Sequence, residues 1–401
     1  GTCTLGSALT LGLTRTFTLT RGTLALANFT LSCGLFSSNN TNTRAINFGT
    51  GNITTTGSGT VFTTATATGL TYTGTPTVNI SNNSATATTV TAHTTGGTAA
   101  NAFNFNITTG TYALTLTTAS VVDDLNFTGF AGTWAPATAT CTFYGSLTLV
   151  SGMTFTTGSG LWTFAATSGT QIITSAAKTL FSITKSAAGS TFQLADALTL
   201  STTATFTLTL GTLDLGNFTL STGLFSSSNS NTRSIIFGTG NITVTGSGTA
   251  WTTATATGLT YTGTPTVNIS NNSATAATVT AHTTGGTAAN AFDFNITIGT
   301  YALTLTTASR VRNLIYTGFT GTWAPATATC TFYGSLTLVS GMTFTTGSGL
   351  WTFAATTGTQ VITSAGKTLF SITQNGAAAQ TVQFADNPTL STTATYTFTT
   401  G

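Results

Sequence analysis

Between Phe206 and Leu220 the chain reads F-T-L-T-L-G-T-L-D-L-G-N-F-T-L. Phe206, Leu208 and Leu210 alternate with Thr; after Gly211 the phase moves to Leu213 and Leu215, and after Gly216 to Phe218 and Leu220. Alternation with a period of two, reset at each Gly, predicts short β-strands with one apolar face and one face mostly of Thr. Ile235–Phe237, Ile242–Thr245 and Leu336–Leu338 carry the same texture. Segments this short cannot each form a hairpin with its own core. They fit as the sides of a coil that turns at Gly or Asn. The pattern predicts an all-β fold, a parallel β-solenoid (β-helix), with coils stacked at about 4.8 Å, aliphatic and aromatic groups inside and Thr outside.

A longer period lies over the short one. Phe36 in L-F-S-S-N-N-T-N-T-R recurs as Phe225, 189 residues on, and His93, Trp134, Cys141 and Trp162 recur as His282, Trp323, Cys330 and Trp351 at the same spacing. One residue is added late in the second copy, so that Leu200 matches Leu390. Residues 1–189 then form one unit, 190–379 a second, and 380–401 open a third. The early stop in that third unit reads as a segment of a longer chain. With about 20 residues per coil, a unit makes roughly nine turns and rises about 43 Å. The alternative is a tandem array of β-sandwiches, about two per unit. It has the support of a half-period: T-G-S-G-T-V-F at Thr56–Phe62 against T-G-S-G-L-W-T at Thr157–Thr163. Sandwich arrays are normally separated by linkers, and the unbroken Thr/Gly texture offers none.

Composition narrows the classes. Charged residues are 4% of the chain, where globular domains carry about 25%. Thr supplies more than a quarter of the residues, and 27 Phe, 8 Tyr and 5 Trp supply a core. Thr is β-branched and favours strands. Lys, Arg, Glu and Gln are too scarce to write a surface helix. A net charge of +3, scattered over 401 residues, excludes a nucleic-acid surface, which needs clustered Lys and Arg. No apolar run reaches the ~18 residues of a membrane span. Four Cys are too few for a disulfide framework. They are expected as buried free thiols, with a Cys3–Cys33 bridge as the sharper alternative.

The stretch Gly158–Phe181, G-S-G-L-W-T-F-A-A-T-S-G-T-Q-I-I-T-S-A-A-K-T-L-F, nearly repeated at Gly347–Phe370, resembles a repeat of very long bacterial surface (adhesin-like) proteins. There it is followed by a segment like Thr207–Leu220. Phe225–Arg233 and Thr262–Thr275 resemble Thr/Gly-rich repeat structural proteins of marine tailed phages and aquatic bacteria. The resemblance covers nearly the whole unit. It implies an extracellular, cell-surface or virion-surface fibre built as a β-solenoid, and it carries no catalytic residues. Because the ends of a solenoid expose unpaired strand edges, copies of the chain itself, head to tail or side by side, are the expected partners.

Candidate chemistry is sparse. Hydrolysis by paired carboxylates needs two acids in fixed relation. Of the six Asp, only the position of Asp196 and Asp386 recurs, so no pair is common to both units and no enzyme activity, cofactor or metal is expected. His93 and His282, in T-A-H-T-T-G-G, have no His, Cys or carboxylate beside them and are expected at the surface or in a turn. Arg44 and Arg233 close an Asn/Ser-rich stretch. Each is expected to bind loop carbonyls and fix the turn, or else to face an anionic sugar or a neighbouring chain. Trp134 and Trp323 are expected in the core rather than as sugar platforms. The N-x-S/T sequons at Asn28, Asn52, Asn79 and Asn106 and their repeats are expected as turn and ladder residues.

One difference between the units stands out. Val121-Val122-Asp123-Asp124 aligns with Arg310-Val311-Arg312-Asn313. A doubly negative patch becomes a doubly positive one, which suggests contacts between chains staggered by one unit, setting register more than affinity. The function expected is a structural fibre that associates with itself. The alternative is an adhesin or tail-fibre module that binds carbohydrate, such as cell-surface polysaccharide, or another surface.

Overall fold

The computed structural model describes residues 1–377 and 379–400. Ala378 and Gly401, which the second and third sequence units include, lie outside the described residues. Two compact units, residues 1–199 and 200–401, wind as parallel β-solenoids, about 18 turns between them, and no helix occurs among the described residues. The contact boundary falls after Thr199 and the sequence repeat was cut after Gly189. A periodic chain can be cut at any phase, so the two describe different things.

In the first unit each early coil lays down three strands. Thr2–Thr4, Gly22–Ala25, Arg44–Gly49 and Leu70–Gly74 pair in order as one sheet. A second face carries one unbroken column of inward side chains: Leu9, Leu31, Ile53, Val78, Phe105, Leu125, Leu147, Ile173 and Leu194, each opposite the next. From Leu31 onward all are buried. Each contributes about 1.5–3 kcal/mol of apolar burial. One residue along the same strands, the outward column reads Thr10, Ser32, Thr54, Asn79, Asn106, Asn126, Thr148, Thr174. The period-two pattern of the sequence is therefore the division between core and solvent. On a third face Phe17, Phe36 and Phe62 stack, with ring centroids 6.0 and 5.2 Å apart.

The second unit repeats the plan. Leu220, Ile242, Val267, Phe294, Leu314, Leu336 and Ile362 form its buried column. Phe206, Phe225 and Trp251 form its aromatic stack, at 6.1 and 4.3 Å. Every strand pairing among the described residues is parallel, whereas sandwiches are built from antiparallel hairpins, so the sandwich alternative is set aside. Coil length varies. Phe105 meets Leu125, 20 residues on, but Val78 meets Phe105, 27 residues on. The strands keep register while the corners absorb the difference.

Glycine marks where coils approach too closely for a side chain. A Cβ at Gly160 would stand 2.0 Å from the Ala139 carbonyl oxygen, and one at Gly349 2.0 Å from that of Ala328. At Asn28 (φ 70°) and Asn217 (φ 68°) the chain turns left-handed, and each Oδ1 accepts a main-chain N–H from the next coil, that of Thr50 at 2.9 Å and of Thr239 at 3.0 Å.

Candidate functional site

Charged side chains in these solenoids act largely on backbone. Arg44 is buried without a carboxylate. Its Nε donates to Ser38 Oγ (2.7 Å), Nη1 to the Asn42 (2.8 Å) and Thr68 (3.1 Å) carbonyls and to Asn40 Oδ1 (3.3 Å), and Nη2 to the Ser38 (3.1 Å) and Thr66 (2.7 Å) carbonyls. One guanidinium thus closes its own Asn/Ser-rich loop and ties it to the next coil. Arg233 donates to the Ser227, Thr255 and Thr257 carbonyls at 2.9, 3.2 and 2.9 Å. Burial lowers the pKa of both, but guanidinium stays charged, and carbonyl dipoles stand in for a counter-ion.

His93 and His282 are not at the surface: both are fully buried. His93 has Nδ1 2.9 Å from the Thr64 carbonyl and Nε2 against that of Asn101. His282 has Nδ1 3.1 Å from the Thr253 carbonyl and Nε2 2.5 Å from that of Asn290. Each ring also packs on a phenylalanine, Phe103 or Phe292, at 5.1 Å. Burial holds both pKa values below the usual imidazole value, against the pull of the two carbonyls. A neutral ring has one N–H, so each histidine donates to one of its two carbonyls, and only the protonated ring would bind both. Among the described residues no three His, Cys, Asp or Glu gather as a metal site.

Lysine and aspartate work in the same way. Lys178 Nζ donates to the Ser151 (3.1 Å) and Met153 (2.8 Å) carbonyls, and Lys367 Nζ to those of Ser340 (2.9 Å) and Met342 (2.8 Å). Asp196 accepts the N–H groups of Ser175 (2.8 Å) and Ala176 (2.6 Å), and Asp386 those of Ser364 (3.0 Å) and Ala365 (2.6 Å). Ala176 and Ala365 are left-handed, at φ 49° and 51°, so each carboxylate holds a strained turn. Lys178 and Lys367 were legible as a signal, since T-S-A-A-K recurs as T-S-A-G-K in a chain with three lysines. Lys185 was not. It is fully buried and donates to Ser190 Oγ (2.5 Å) and the Ala187 carbonyl (3.1 Å). Burial pushes its ammonium down to about 8. The second unit has Gln374 at that place.

The corner with the charge difference is built on one backbone in both units. Asn104 Oδ1 accepts the Asp124 N–H at 3.2 Å, and Asp124 Oδ1 the Ser146 N–H at 2.6 Å. In the second unit Asp293 Oδ1 accepts the Asn313 N–H at 3.2 Å, and Asn313 Oδ1 the Ser335 N–H at 2.6 Å. Asn–Asp has become Asp–Asn with the geometry kept. Arg312 pairs with Asp293 of its own chain, with Nε to Oδ1 at 2.6 Å and Nη2 against Oδ2. Arg310 Nη1 donates to the His282 (3.1 Å) and Thr283 (2.8 Å) carbonyls. In the first unit Asp123 takes the place of Arg312. A Cβ on Gly145 would lie 2.3 Å from Asp124 Oδ1 and 2.8 Å from Asp123 Oδ1, so the two carboxylates converge over that glycine. Burial, and then the Asp124 charge, push Asp123 up to about 6.

The remaining expectations are placed as follows. Trp134 is buried and stacks on Phe127 (4.9 Å) and Trp162 (5.3 Å); Trp323 is likewise buried. All four cysteines are free, so Cys3 and Cys33 are not bridged. Cys33, Cys141 and Cys330 are buried, but Cys3 is exposed. Asn79 Nδ2 donates to Asn52 Oδ1 and Asn106 Nδ2 to Asn79 Oδ1, each at 3.2 Å, so three sequon asparagines form one ladder. Asn241, Asn268 and Asn295 form the second. From Asn106, the last rung of the first ladder, a groove of about 340 Å³ continues past amides, hydroxyls and Asp124, among them Thr77, Asn104, Asn126 and Ser146. A larger groove of about 610 Å³ runs past Leu13, Gly57 and Asn82–Ser84.

Comparison with protein-family models, with curated proteins and with solved structures finds no match to this chain.

Proposed function

We propose that the chain is a structural element of a fibre or filament on a cell or virion surface, that it associates with copies of itself, and that it carries no catalytic activity. The observation that supports this best is the pair of columns on the second face, one of nine stacked apolar side chains and one of hydroxyls and amides. Each coil makes an extended sheet stiffer along the stacking direction, and each charged brace ties a corner to its neighbour. The resemblance of Gly158–Phe181 to repeats of bacterial surface proteins, and of Phe225–Arg233 to phage structural proteins, supports an extracellular setting. Negative-stain microscopy of the purified chain, with fibre diffraction, tests the reading. Filaments with a meridional spacing near 4.8 Å are expected; particles that stay monomeric across a concentration series would count against it.

A second reading has one observation of its own. The 340 Å³ groove presents amides, hydroxyls and one carboxylate on a rigid sheet, the groups that hydrogen-bond sugar hydroxyls. A carbohydrate-binding module should retain an immobilised polysaccharide and lose that retention on Asn106→Ala. Equal retention by both proteins would remove this reading.

A further inference from the structure

The acidic and basic corners are alternative fillings of one framework. Their main-chain contacts agree, at 3.2 and 2.6 Å in both units. Only the charges differ. Among the described residues the one ion pair is Arg312 with Asp293. It leaves the charge of Arg310 uncancelled, because the carbonyls that Arg310 touches are neutral. The second corner is therefore net +1, two cations against one carboxylate. The first holds Asp123 and Asp124 with no cation paired to either among the described residues, net −2.

Around the first corner the outer face is a run of short polar side chains; in the second unit the same column is Ser221, Thr243, Asn268, Asn295, Ile315, Thr337 and Thr363, polar but for Ile315. In the first unit eight strands, from Thr10 to Thr174, span seven intervals. At about 4.8 Å per interval and about 13 Å of strand width, the face offers roughly 440 Å². Two such faces together give about 900 Å², just below the ~1,000 Å² of a specific contact. Area alone does not select a partner face at this size, and charge does.

Resting on the fibre reading, we propose that this face is a contact between copies of the chain. The first unit of one copy lies on the second unit of another, with the Asp123–Asp124 corner matched to the Arg310–Arg312 corner. The contact is heterologous. It leaves the second unit of the first copy and the first unit of the next copy free for the same contact, so it repeats, and it builds a filament where the rotation between copies does not close a ring. Like corners repel, which disfavours the symmetric pairing of first unit on first unit.

The test exchanges the fillings. An all-basic variant carries Asn104→Asp, Val121→Arg, Asp123→Arg and Asp124→Asn. An all-acidic variant carries Asp293→Asn, Arg310→Val, Arg312→Asp and Asn313→Asp. Each set is native in the other unit, and circular dichroism checks that each variant folds. Sedimentation velocity and negative-stain microscopy are run at 50 and 500 mM NaCl. The wild type should assemble at low salt and weaken at high salt. Each variant alone should assemble at least tenfold more weakly, the two mixed should recover wild-type assembly, and a chain carrying both sets should assemble as the wild type does. If either variant alone forms the same filaments as the wild type, or the mixture fails to recover, the contact is wrong while the fibre reading stands. If the wild type never assembles, both fall.

Discussion

Tyr316 shows how one side chain can be read against its own duplicate. Its hydroxyl is buried with no hydrogen-bond partner among the described residues, and the first unit has Phe127 at the equivalent place. A buried hydroxyl left unpaired costs about 1–3 kcal/mol, while the ring keeps its stack on Trp323 at 5.3 Å. Tyr316→Phe should therefore stabilise the second unit by about 1 kcal/mol, seen as a higher midpoint in urea. Lys185 poses the converse case. Its folded pKa of about 8 lies below the ordinary value of about 10.4. Below pH 8 both states hold the proton, and the folded state bears the full cost of a buried charge. Between pH 8 and about 10 the folded chain releases the proton first, the unfolded chain binds more, and stability rises with pH. Lys185→Gln, which installs the second unit's own residue, should thus be more stable than the wild type at pH 7 by a margin that shrinks steadily toward pH 10. Urea titrations at each pH measure it, and a margin independent of pH would refute the assignment. Neither residue was legible in the sequence. An inward Lys among Thr and Ala reads like any other polar position, and which side of the coil it faces depends on a corner that resets the phase. The burial of His93 and His282 was missed for the same reason.

At the scale of strand and corner, the alternation of Phe206–Leu220 separated inside from outside at every apolar position but two, Leu210, which is half-buried, and Phe218. Leu208, Leu213, Leu215 and Leu220 are all buried. Phe218, which follows the reset at Gly216, is 38% exposed, because it closes the turn that begins at Gly216 and precedes the strand Thr219–Thr222. The glycines hold the rest of the information. Gly160 has no room for a methyl group, with the Ala139 carbonyl 2.0 Å from a Cβ, whereas Gly152 has nothing within 4 Å. Gly160→Ala should cost about 1–3 kcal/mol through forced separation of two coils. Gly152→Ala should be neutral or stabilising by up to about 1 kcal/mol through the unfolded chain. Thermal melts of the two variants measured side by side decide it; equal losses would mean that glycine serves chain flexibility rather than close approach. Coil lengths, which run from 20 to 27 residues along the second face, were not readable as a fixed number, since loops such as Asn82–Thr86 lengthen a corner without moving the strands. The asparagine ladder was expected in kind, but its members were not, because three sequons 27 residues apart fall opposite one another only once the corners are known.

A stack in which each coil touches only the coils beside it should not unfold as one body. In the first unit Phe105 pairs with Val78 before it and Leu125 after it, and its ring meets Phe62 and Phe103. Nothing in that list reaches the coils of Leu9 or Leu194. Phe105→Ala removes an aromatic ring from the buried column at a cost of about 3–5 kcal/mol. In a globular core this cost would lower protection everywhere by the same amount. Here amide hydrogen exchange should instead show protection lost most in Thr77–Ile80, Asn104–Ile107 and Leu125–Asn126, and retained progressively toward Ser190–Leu194. A uniform loss across the first unit would mean that its coils are coupled as strongly as a single domain. The same locality explains why two units can carry opposite charges on one backbone. A substitution in one coil is felt by two neighbours only, so each corner is free to change its filling while the columns beneath it stay as they are.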